Sequence, residues 1–563
     1  MAAQPKQPER ASASAKRATA WRALERGFDI VVVGGGITGA GVAREAARRG
    51  LKVALFEKLD LASGTSSRSS KLVHGGLRYL EHYEFALVFE SVSERRVLQS
   101  IAPHLVRPLG FLFPVWEGAR RGLWTIRAGM WLYEGLSLFR SPKRPRTLSQ
   151  GDVGREEPAL DSGGLKGASL YWDCHTNDAR LTLETVQDAA QHGAVVLNWA
   201  SVDSVRRDAT GRVCGVTVTD GLGKAGTVTV DARVVVSCTG PWTDGALAQG
   251  GAPRAPLLRP TKGVHIVLAP GRLRLRHAVV CVHPRDGRVL FAIPWGDAAY
   301  AGTTDTFVEG ADPGAVFADS DDVDYLLEAL HDHFPSAALT RDDVTATWAG
   351  LRPLVAPNET GVAASSMSRE HVVRVESDGL VVVAGGKLTT YRRMASEVVD
   401  AAVSWMHLAG MAPMTQPART DTEPLPGAVG WPEDDRVEDI VAELASQVDR
   451  EVAEHLVATY GMVARDVVGQ LAVHPGAHAR LVPGRPEVEA EVHHAVDGEF
   501  AQRVEDILLR RLNLYYLDVD QGLGAVERVA DLLASRLGWT EARRADEVLR
   551  YRTLVASSRS WRK

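Results

Sequence analysis

The sequence has few cysteines and no cysteine pair at short spacing. Its four cysteines are scattered over 563 residues, at Cys174, Cys214, Cys238 and Cys281. This distribution argues against a disulfide framework and against a cysteine-rich metal site. It fits a protein of a reducing compartment.

The chain also lacks a long apolar run and a strong net charge. No stretch reaches the ~20 apolar residues that a membrane-spanning helix needs. The formal net charge of −5 gives no global reason to expect nucleic-acid binding. Residues 1–27 have no apolar core of a secretory signal. Because Glu9 and Glu25 interrupt their basic character, a disordered extension is favoured over an organelle transit peptide.

The stretch FDIVVVGGGITGAGVAREAARRGLKVALFE, residues 28–57, predicts a strand, a tight turn, a helix and a second strand. Its glycines at 34, 36 and 39 have G-x-G-x-x-G spacing, which allows the turn, the approach of a pyrophosphate and close helix packing. Glu57 ends the second strand, where an acid can bind the ribose hydroxyls of an adenine dinucleotide. The predicted cofactor residues of this unit are Gly34, Gly35, Gly36, Thr38, Gly39 and Glu57.

The unit alone leaves NAD and FAD open, but a second unit favours FAD. Residues 379–399, GLVVVAGGKLTTYRRMASEVV, again predict a strand, a double glycine and a helix. A chain that returns late to complete a nucleotide site is typical of flavoproteins. Further predicted cofactor residues here are Gly385, Gly386, Lys387, Leu388 and Thr389, with Gly240 after another buried strand.

A hydroxyl-rich loop follows Glu57. Such loops are often merely solvated, but this one leaves the predicted sheet at the edge where ligands bind, so its position favours cofactor binding. The predicted contacts are Thr65, Ser66, Ser67, Ser69 and Ser70.

The predicted fold class is α/β, with three parts. The first is a Rossmann-like FAD-binding domain in layers (28–106, 150–240 and 355–411). The second is an antiparallel substrate domain (107–149 and 241–354). After a linker at 412–434 comes a C-terminal α-helical domain at 435–563.

Residues 107–147 combine seven aromatic side chains with arginines and lysines. Aromatics beside cations are typical of a membrane interface. The alternative is a substrate-domain helix with an ordinary buried face, and the sequence favours neither.

Several motifs together resemble the FAD-dependent glycerol-3-phosphate dehydrogenase family, which includes the glycerophosphate oxidases. They are GGGITGAGVAREAARRG, TSSRSSKLVHGGLRYLEHYEF, TGPW, RPTKGVHIV, GTTDT, WAGLRPL and AGGKLTTYR, in order between Phe28 and Arg393. The resemblance implies oxidation of sn-glycerol 3-phosphate to dihydroxyacetone phosphate with noncovalent FAD. Dehydrogenases pass the electrons to quinone and oxidases to oxygen. The absence of a long insertion between Arg352 and Gly385 favours the dehydrogenase.

The reaction also suggests which side chains act. An imidazole suits the base that takes the hydroxyl proton, and His265 and His74 are both candidates. Arginine forks suit the phosphate. The candidates for substrate binding are Arg78, Tyr79, Arg352, Arg369 and Lys387, and Arg352 and Lys387 are also catalytic candidates.

Rival interpretations differ in function class. The second enzyme candidate is an oxidase that uses oxygen and releases hydrogen peroxide, and the non-enzyme candidate is an FAD-binding redox sensor or scaffold. For the dehydrogenase, we expect peripheral attachment to the cytoplasmic face of the cell membrane, with quinone as a partner. A homodimer is possible.

Overall fold

The predicted dinucleotide unit forms as strand, helix and strand. The computed structural model describes residues 13–76, 84–119, 121–248, 256–308, 310, 312–356 and 370–563. The described strands are β1 Phe28–Val33, β2 Val53–Phe56, β3 Leu72–Val73, β4 Arg107–Trp116, β5 Arg146–Leu148, β6 Leu165–His175, β7 Val195–Leu197, β8 Ala200–Arg207, β9 Val213–Asp220, β10 Thr227–Ser237, β11 Thr261–Leu268, β12 Ala278–Val282, β13 Val289–Trp295, β14 Ala298–Gly302, β15 Thr306–Phe307, β16 Val344–Arg352, β17 His371–Val375 and β18 Val381–Gly385.

Helices cover these strands and form the carboxyl-terminal region. The described α-helices are α1 Ala13–Arg22, α2 Ile37–Arg48, α3 Phe85–Ile101, α4 Leu123–Leu136, α5 Gln150–Glu156, α6 Asp178–Gln191, α7 Thr243–Ala248, α8 Ser320–His333, α9 Tyr391–Leu408, α10 Glu438–Leu444, α11 Arg450–Tyr460, α12 Ala464–Val468, α13 Glu489–Gly498, α14 Leu514–Leu517, α15 Val526–Leu537 and α16 Glu541–Ser558. A π-helical turn spans Asp506–Arg511.

The first sheet has the order β17-β18-β10-β1-β2-β7, with β9 and β8 attached to the amino-terminal half of β10. β1 is parallel to both β10 and β2, and β10 is parallel to β18. Helices α2, α6 and α9 pack on this sheet around a core of small and branched apolar side chains. The predicted α/β class with a Rossmann-like sheet is confirmed.

The second sheet has the order β15-β11-β14-β13-β12-β4-β6-β3, with β16 paired to β11 and β5 to β6. Most of its pairs are antiparallel, and β12 is parallel to β4. The predicted antiparallel sheet is therefore confirmed. One segment differs from the predicted boundary at residue 150. Strand β6 pairs with β4 from Arg107↔His175 to Trp116↔Leu165, so it belongs to the second sheet instead of the first.

The predicted disordered extension contains an ordered helix. Residues 1–12 lie outside the described part, but α1 packs against the first sheet through the buried Trp21. Arg17 donates a hydrogen bond to Asp220 at 2.9 Å. The burial of the Trp21 ring and the hydrogen bond from Arg17 to Asp220 stabilise this helix. Neither contact could be predicted from the composition of the segment.

The predicted linker at 412–434 is in part buried. Thr420 and Leu425 are enclosed. The guanidinium of Arg44, on α2, donates to the carbonyl oxygens of Thr420 and Glu423 at 2.9 and 2.7 Å. This segment is therefore packed on the cofactor-side helix.

A buried carboxylate joins the carboxyl-terminal region to the loop after β2. Asp60 is fully buried and accepts hydrogen bonds from Arg510 at 2.6 Å and from Arg511 at 2.7 Å. Asn198 also donates to Asp60, at 2.9 Å. The π-helical turn thus places two adjacent arginines on one buried acid, whose pKa they hold below its usual range against the opposing effect of burial.

Within the described ranges, no helix combines the length and the apolarity that crossing a bilayer requires.

Candidate active site

A cavity of about 530 Å³ opens at the carboxyl ends of β1, β2, β10 and β18. This is the edge of a parallel sheet where dinucleotides bind. Most of the predicted cofactor residues line it, namely Gly34, Gly36, Thr38, Glu57, Thr65, Ser66, Ser69, Gly240, Gly385, Gly386, Lys387 and Leu388. The sequence unit and its late return thus meet at one cavity.

The glycines of the first turn make room for backbone. Gly34 has φ +107°, and a Cβ there would lie 2.5 Å from the carbonyl oxygen of Cys238. A Cβ on Gly39 would lie 1.9 Å from the carbonyl oxygen of Gly34, so only glycine lets α2 approach β1 this closely. Gly35 and Gly39 shape the turn without lining the cavity.

Glu57 both lines the cavity and holds the turn. Its carboxylate accepts hydrogen bonds from the backbone N–H of Gly35 at 2.7 Å and of Leu59 at 2.9 Å. Burial raises the pKa of Glu57, against the opposing effect of those two N–H groups. The acid therefore fixes the glycine turn beside the cavity wall that it forms.

The hydroxyl-rich loop divides into two parts. Ser66 lines the cavity, and its Oγ accepts the N–H of Ile37, at the start of α2, at 2.8 Å. Thr65 lies beside it and donates to the carbonyl oxygen of Leu351 at 2.6 Å. Ser67 and Ser70 do not line the cavity, and Ser70 turns instead towards His265.

His265 lies in β11 and is only 2% exposed. Its Nε2 is 2.9 Å from Ser70 Oγ, and its Nδ1 has no hydrogen-bond partner among the described residues. The ring stacks on Trp348 with centroids 4.7 Å apart. Burial, and secondarily the charges of Arg352 and Lys71, lower the pKa of His265 well below its usual range. The imidazole is therefore neutral at neutral pH.

His74 contacts the second unit, which contains Lys387. The backbone N–H of His74 donates to Thr389 Oγ1 at 3.3 Å, which ties it to the turn before α9. Lys387 lines the cavity, and its Nζ donates to Ser91 Oγ at 3.2 Å. The helix predicted here begins only at Tyr391, after a 3₁₀ turn at Leu388–Thr390. Thr389 is buried in that turn rather than exposed to the cavity.

Arg352 ends β16, and Pro353 directly after it lines the cavity. The guanidinium of Arg352 donates hydrogen bonds to Asp305 at 3.0 Å and to Thr303 Oγ1 at 2.8 Å. A Cβ on Gly263 would lie 2.4 Å from the Arg352 Nη2 atom. Because alternate residues of a strand share a face, Gly263 leaves space for this guanidinium on the face that also carries His265.

Three predicted substrate residues, Arg78, Tyr79 and Arg369, lie outside the described residues. Their roles remain predictions from the sequence.

Two side chains of the site were not predicted from the sequence. Lys58 and Trp242 line the cavity, with Lys58 Nζ 4.3 Å from the indole ring. The TGPW motif was a signal for Trp242. Nothing in the sequence indicated that Lys58, whose position follows Glu57, would meet that ring.

The cavity fits FAD on its own geometry. Its glycines leave the space that a Cβ would fill, and its length follows the ends of four strands, as an extended dinucleotide requires. Residues at the amino-terminal end of α2 line it, and the N–H groups of a helix amino terminus suit phosphate oxygens. Over the described part of the chain, no group of three or more His, Cys, Asp or Glu side chains comes together as a metal site.

Comparisons with known proteins agree with this geometry. A family model described as FAD dependent oxidoreductase matches residues 29–392, and one described as the C-terminal domain of alpha-glycerophosphate oxidase matches residues 418–544. The chain is 37% identical over 537 residues to a glycerol-3-phosphate dehydrogenase of Synechocystis sp., covering 93% of this chain and 95% of that protein. It is 36% identical over 518 residues to an aerobic glycerol-3-phosphate dehydrogenase of Staphylococcus saprophyticus, covering 91% of each.

Among solved structures, the chain is similar to the glycerol-3-phosphate dehydrogenase from Bacillus halodurans complexed with FAD. The TM-score is 0.79 at 31% identity, and the match covers 97% of this chain and 98% of that one. The predicted FAD cofactor is confirmed.

Replacing Gly36 by valine is expected to abolish FAD binding. Gly36 has an ordinary extended backbone, so the substitution causes no backbone strain. Its Cβ would lie 3.1 Å from Ser66 Oγ, and the added methyl groups would occupy the approach to the backbone that a pyrophosphate needs. The measurement is the flavin absorbance of the purified protein and the titration of apoprotein with FAD.

Gly154→Val is the matched control. Gly154 lies in α5, and a Cβ there meets nothing within 4 Å. A folded Gly36→Val protein with a full complement of FAD would contradict the assignment.

Proposed function

Because the chain belongs to the FAD-dependent glycerol-3-phosphate dehydrogenase family, we propose that it oxidises sn-glycerol 3-phosphate to dihydroxyacetone phosphate and passes the electrons to a membrane quinone. The observation that carries the proposal is one sheet face beside the FAD cavity. It presents a neutral buried imidazole, His265, and a fixed guanidinium, Arg352. A secondary alcohol carrying a phosphate needs these two groups.

The substrate phosphate would be held by cations with fixed geometry. Arg352 is held by Asp305 and Thr303, so its fork is preorganised. Lys387 lines the cavity directly before the 3₁₀ turn at Leu388–Thr390 and would hold negative charge near the reacting end. The other candidates for substrate binding, which come from the sequence alone, are Arg78, Tyr79 and Arg369.

Bound FAD supplies the acceptor for the hydride that leaves C2 of the substrate. The protein must take the hydroxyl proton at the same time. His265 is the first candidate because it is neutral and because its Nδ1 has no hydrogen-bond partner within the described part of the chain. His74 is the second, since the turn at Thr389 holds it beside the cavity wall.

Arg352→Lys should weaken catalysis although the charge is retained. A lysine ammonium cannot reproduce the paired hydrogen bonds of the fork. Hydrogen bonds to charged groups contribute about 1.5–3 kcal/mol, so kcat/KM for glycerol 3-phosphate should fall roughly 10–100-fold. The assay is anaerobic bleaching of the flavin band by glycerol 3-phosphate, followed by steady-state rates with a soluble quinone.

Arg341→Lys is the control, because Arg341 pairs with Asp324 on the exposed surface. Glycerol should be a poor substrate, since the phosphate positions C2. Unchanged kinetic constants in Arg352→Lys would remove Arg352 from phosphate binding. Failure of glycerol 3-phosphate to bleach the wild-type flavin would refute the proposed reaction.

Loss of the true base should slow flavin reduction roughly 10²–10⁴-fold. Stopped-flow reduction of His265→Ala and His74→Ala distinguishes the two candidates. If His265 is the base, the rate should decline on the acid side only well below pH 6.5. This follows because burial lowers the pKa of His265, so protonation of the imidazole requires a more acidic solution. Near-wild-type rates in both variants would exclude both histidines.

The acceptor proposal depends on an exposed apolar patch. We define the aromatic patch as Phe85 and Phe89 of α3, Trp124, Trp131 and Leu132 of α4, and Leu138 and Phe139 after it. Trp124 is 78% exposed and Phe139 is 56% exposed, whereas Phe111 and Tyr133 of the same sequence region are buried. Residues 107–147 therefore contain buried aromatic rings that pack in the core and exposed rings that support the membrane-interface interpretation.

Charge along α4 and the segment after it, which carry most of the aromatic patch, favours an anionic surface. Residues 121–147 carry six cations and one carboxylate, Glu134, which is buried and accepts a hydrogen bond from Arg144. Rings at headgroup depth with cations around them suit attachment in the plane of a bilayer. The patch lies close to the site, because Ser91 of α3 bonds Lys387. A lipid-soluble quinone would thus arrive on the Lys387 side of the cavity.

We expect the protein to float with anionic liposomes at low salt and to lose binding at high salt. Each cation near an anionic leaflet contributes about 1 kcal/mol. Trp124→Ser combined with Trp131→Ser should reduce flotation, whereas Leu408→Ser, which changes an exposed side chain remote from the patch in sequence, should not. No flotation at low salt, together with fast hydrogen peroxide production and no quinone reductase activity, would favour the oxidase instead.

A further inference from the structure

The side chain of Lys71 is buried among aromatic rings behind His265. It is 3% exposed, and its Nζ is 2.6 Å from Asp178 Oδ1. The same nitrogen is 5.4 Å from the ring centroids of Trp295, Trp348 and Tyr516. A lysine in this environment makes a desolvated ion pair and three cation–π contacts, and such contacts strengthen when water is absent.

This cluster also fixes the backbone next to the imidazole. Asp178 accepts hydrogen bonds from the Ser69 hydroxyl at 2.7 Å and from the Ser69 N–H at 3.1 Å. Trp348 Nε1 donates to the Ser69 carbonyl oxygen at 3.1 Å, and Tyr300 donates to that of Ser70 at 2.9 Å. Ser70 is thereby held where its hydroxyl meets His265.

The arrangement around Lys71 is costly to build. Lys71 has a left-handed backbone, with φ +55°, which a lysine rarely adopts. It does not line the cavity. One of its three rings, Tyr516, comes from the carboxyl-terminal region. Trp348, another of the three, is the ring that stacks on His265.

We propose that Lys71 is a positioning residue for His265: its ammonium, held between Asp178 and three aromatic rings, fixes the Ser70 hydroxyl and the Trp348 ring against the imidazole. The inference rests on the proposed function. It also assigns a task to the carboxyl-terminal helices, because Tyr516 closes the cage from that side.

The charged groups around His265 in the described residues are two cations with their partners. Lys71 is paired with Asp178, and Arg352 is paired with Asp305. Tyr300 faces the imidazole from β14 as a neutral group, since burial raises its pKa well above the ordinary value. Removing the Lys71 cation takes away a charge that disfavours the imidazolium and leaves the Asp178 carboxylate uncompensated. Both changes raise the pKa of His265.

The experiment compares Lys71→Met with wild type in anaerobic flavin reduction across pH. We expect the limiting rate at saturating glycerol 3-phosphate to fall about 10–100-fold, as a misplaced catalytic group causes. The dissociation constant for substrate should stay unchanged, because the phosphate contacts are elsewhere. The acid limb of the pH profile should move to higher pH.

Histidine labelled with ¹³C at Cε1 gives a readout that is independent of turnover. His265→Asn identifies the resonance of His265 in the wild-type spectrum. Its titration should occur at higher pH in Lys71→Met and at an intermediate pH in Lys71→Met/Asp178→Asn, where no unpaired carboxylate remains. If Lys71→Met folds poorly, the double variant takes its place in the experiment. It removes both members of the buried pair and so leaves no uncompensated charge.

Lys262→Met is the matched control. Lys262 is also buried and paired, with Asp319 and Asp322 at 2.6 Å, and it lies in the same strand as His265 but on the opposite face. It should lose stability without a change in the pH profile. At the cage itself, Tyr516→Phe keeps the ring and should keep the rate, whereas Tyr516→Leu should slow reduction as Lys71→Met does.

Wild-type titration and limiting rates in folded Lys71→Met and Tyr516→Leu would overturn the proposal. An equal shift of the pH profile in Lys262→Met would do the same, because the effect would then be one of general stability. If glycerol 3-phosphate fails to reduce the wild-type flavin, the proposed function fails, and the His265 resonance still decides for or against Lys71.

Discussion

Buried carboxylates hold the segment from Glu57 to Lys71 at both ends, and the geometry of the site depends on this segment. Asp60 accepts hydrogen bonds from two arginines of the carboxyl-terminal region, and Asp178 accepts them from Lys71 and Ser69. Removing one partner of such a pair leaves a buried charge uncompensated, at a cost of about 3–5 kcal/mol. The segment therefore has one arrangement, and it presents Ser66 to the cavity and Ser70 to His265.

Strand alternation supplies the second constraint. In the pair of strands β11 and β16, His265 lies opposite Trp348, and Thr261 lies opposite Arg352. Because residues opposite one another share a face of the sheet, these four side chains are on the same face. Gly263 and Gly350 form the pair between them, and the missing side chains leave room for the guanidinium of Arg352 and for Arg68. A one-residue slip would turn the histidine and the arginine to the other face.

The sequence predicted the parts of the site that are local in the chain. The turn at Gly34–Gly39, the acid at Glu57 and the return at Gly385–Lys387 each combine a residue pattern with a strand, so spacing alone located the cavity. Contacts between distant segments could not be predicted in this way. The pairing of β6 with β4, the packing of α1 on the first sheet and the cage around Lys71 each join residues far apart in sequence. No periodicity or motif in one segment identifies its partner in another.

The bond between Asp60 and Arg511 spans 451 positions of the chain. At about 5–20 residues per second, a ribosome adds those two arginines roughly 20–90 s after Asp60. During this interval the glycine-rich turn has already been synthesised. Asp60, in the loop after β2, still lacks the two arginines that neutralise its charge. Although the dinucleotide motif is synthesised long before the two arginines, the loop that frames the cavity acquires its final shape only after Arg511 has been added. Stable capture of the cofactor therefore requires a segment that is synthesised long after the motif itself.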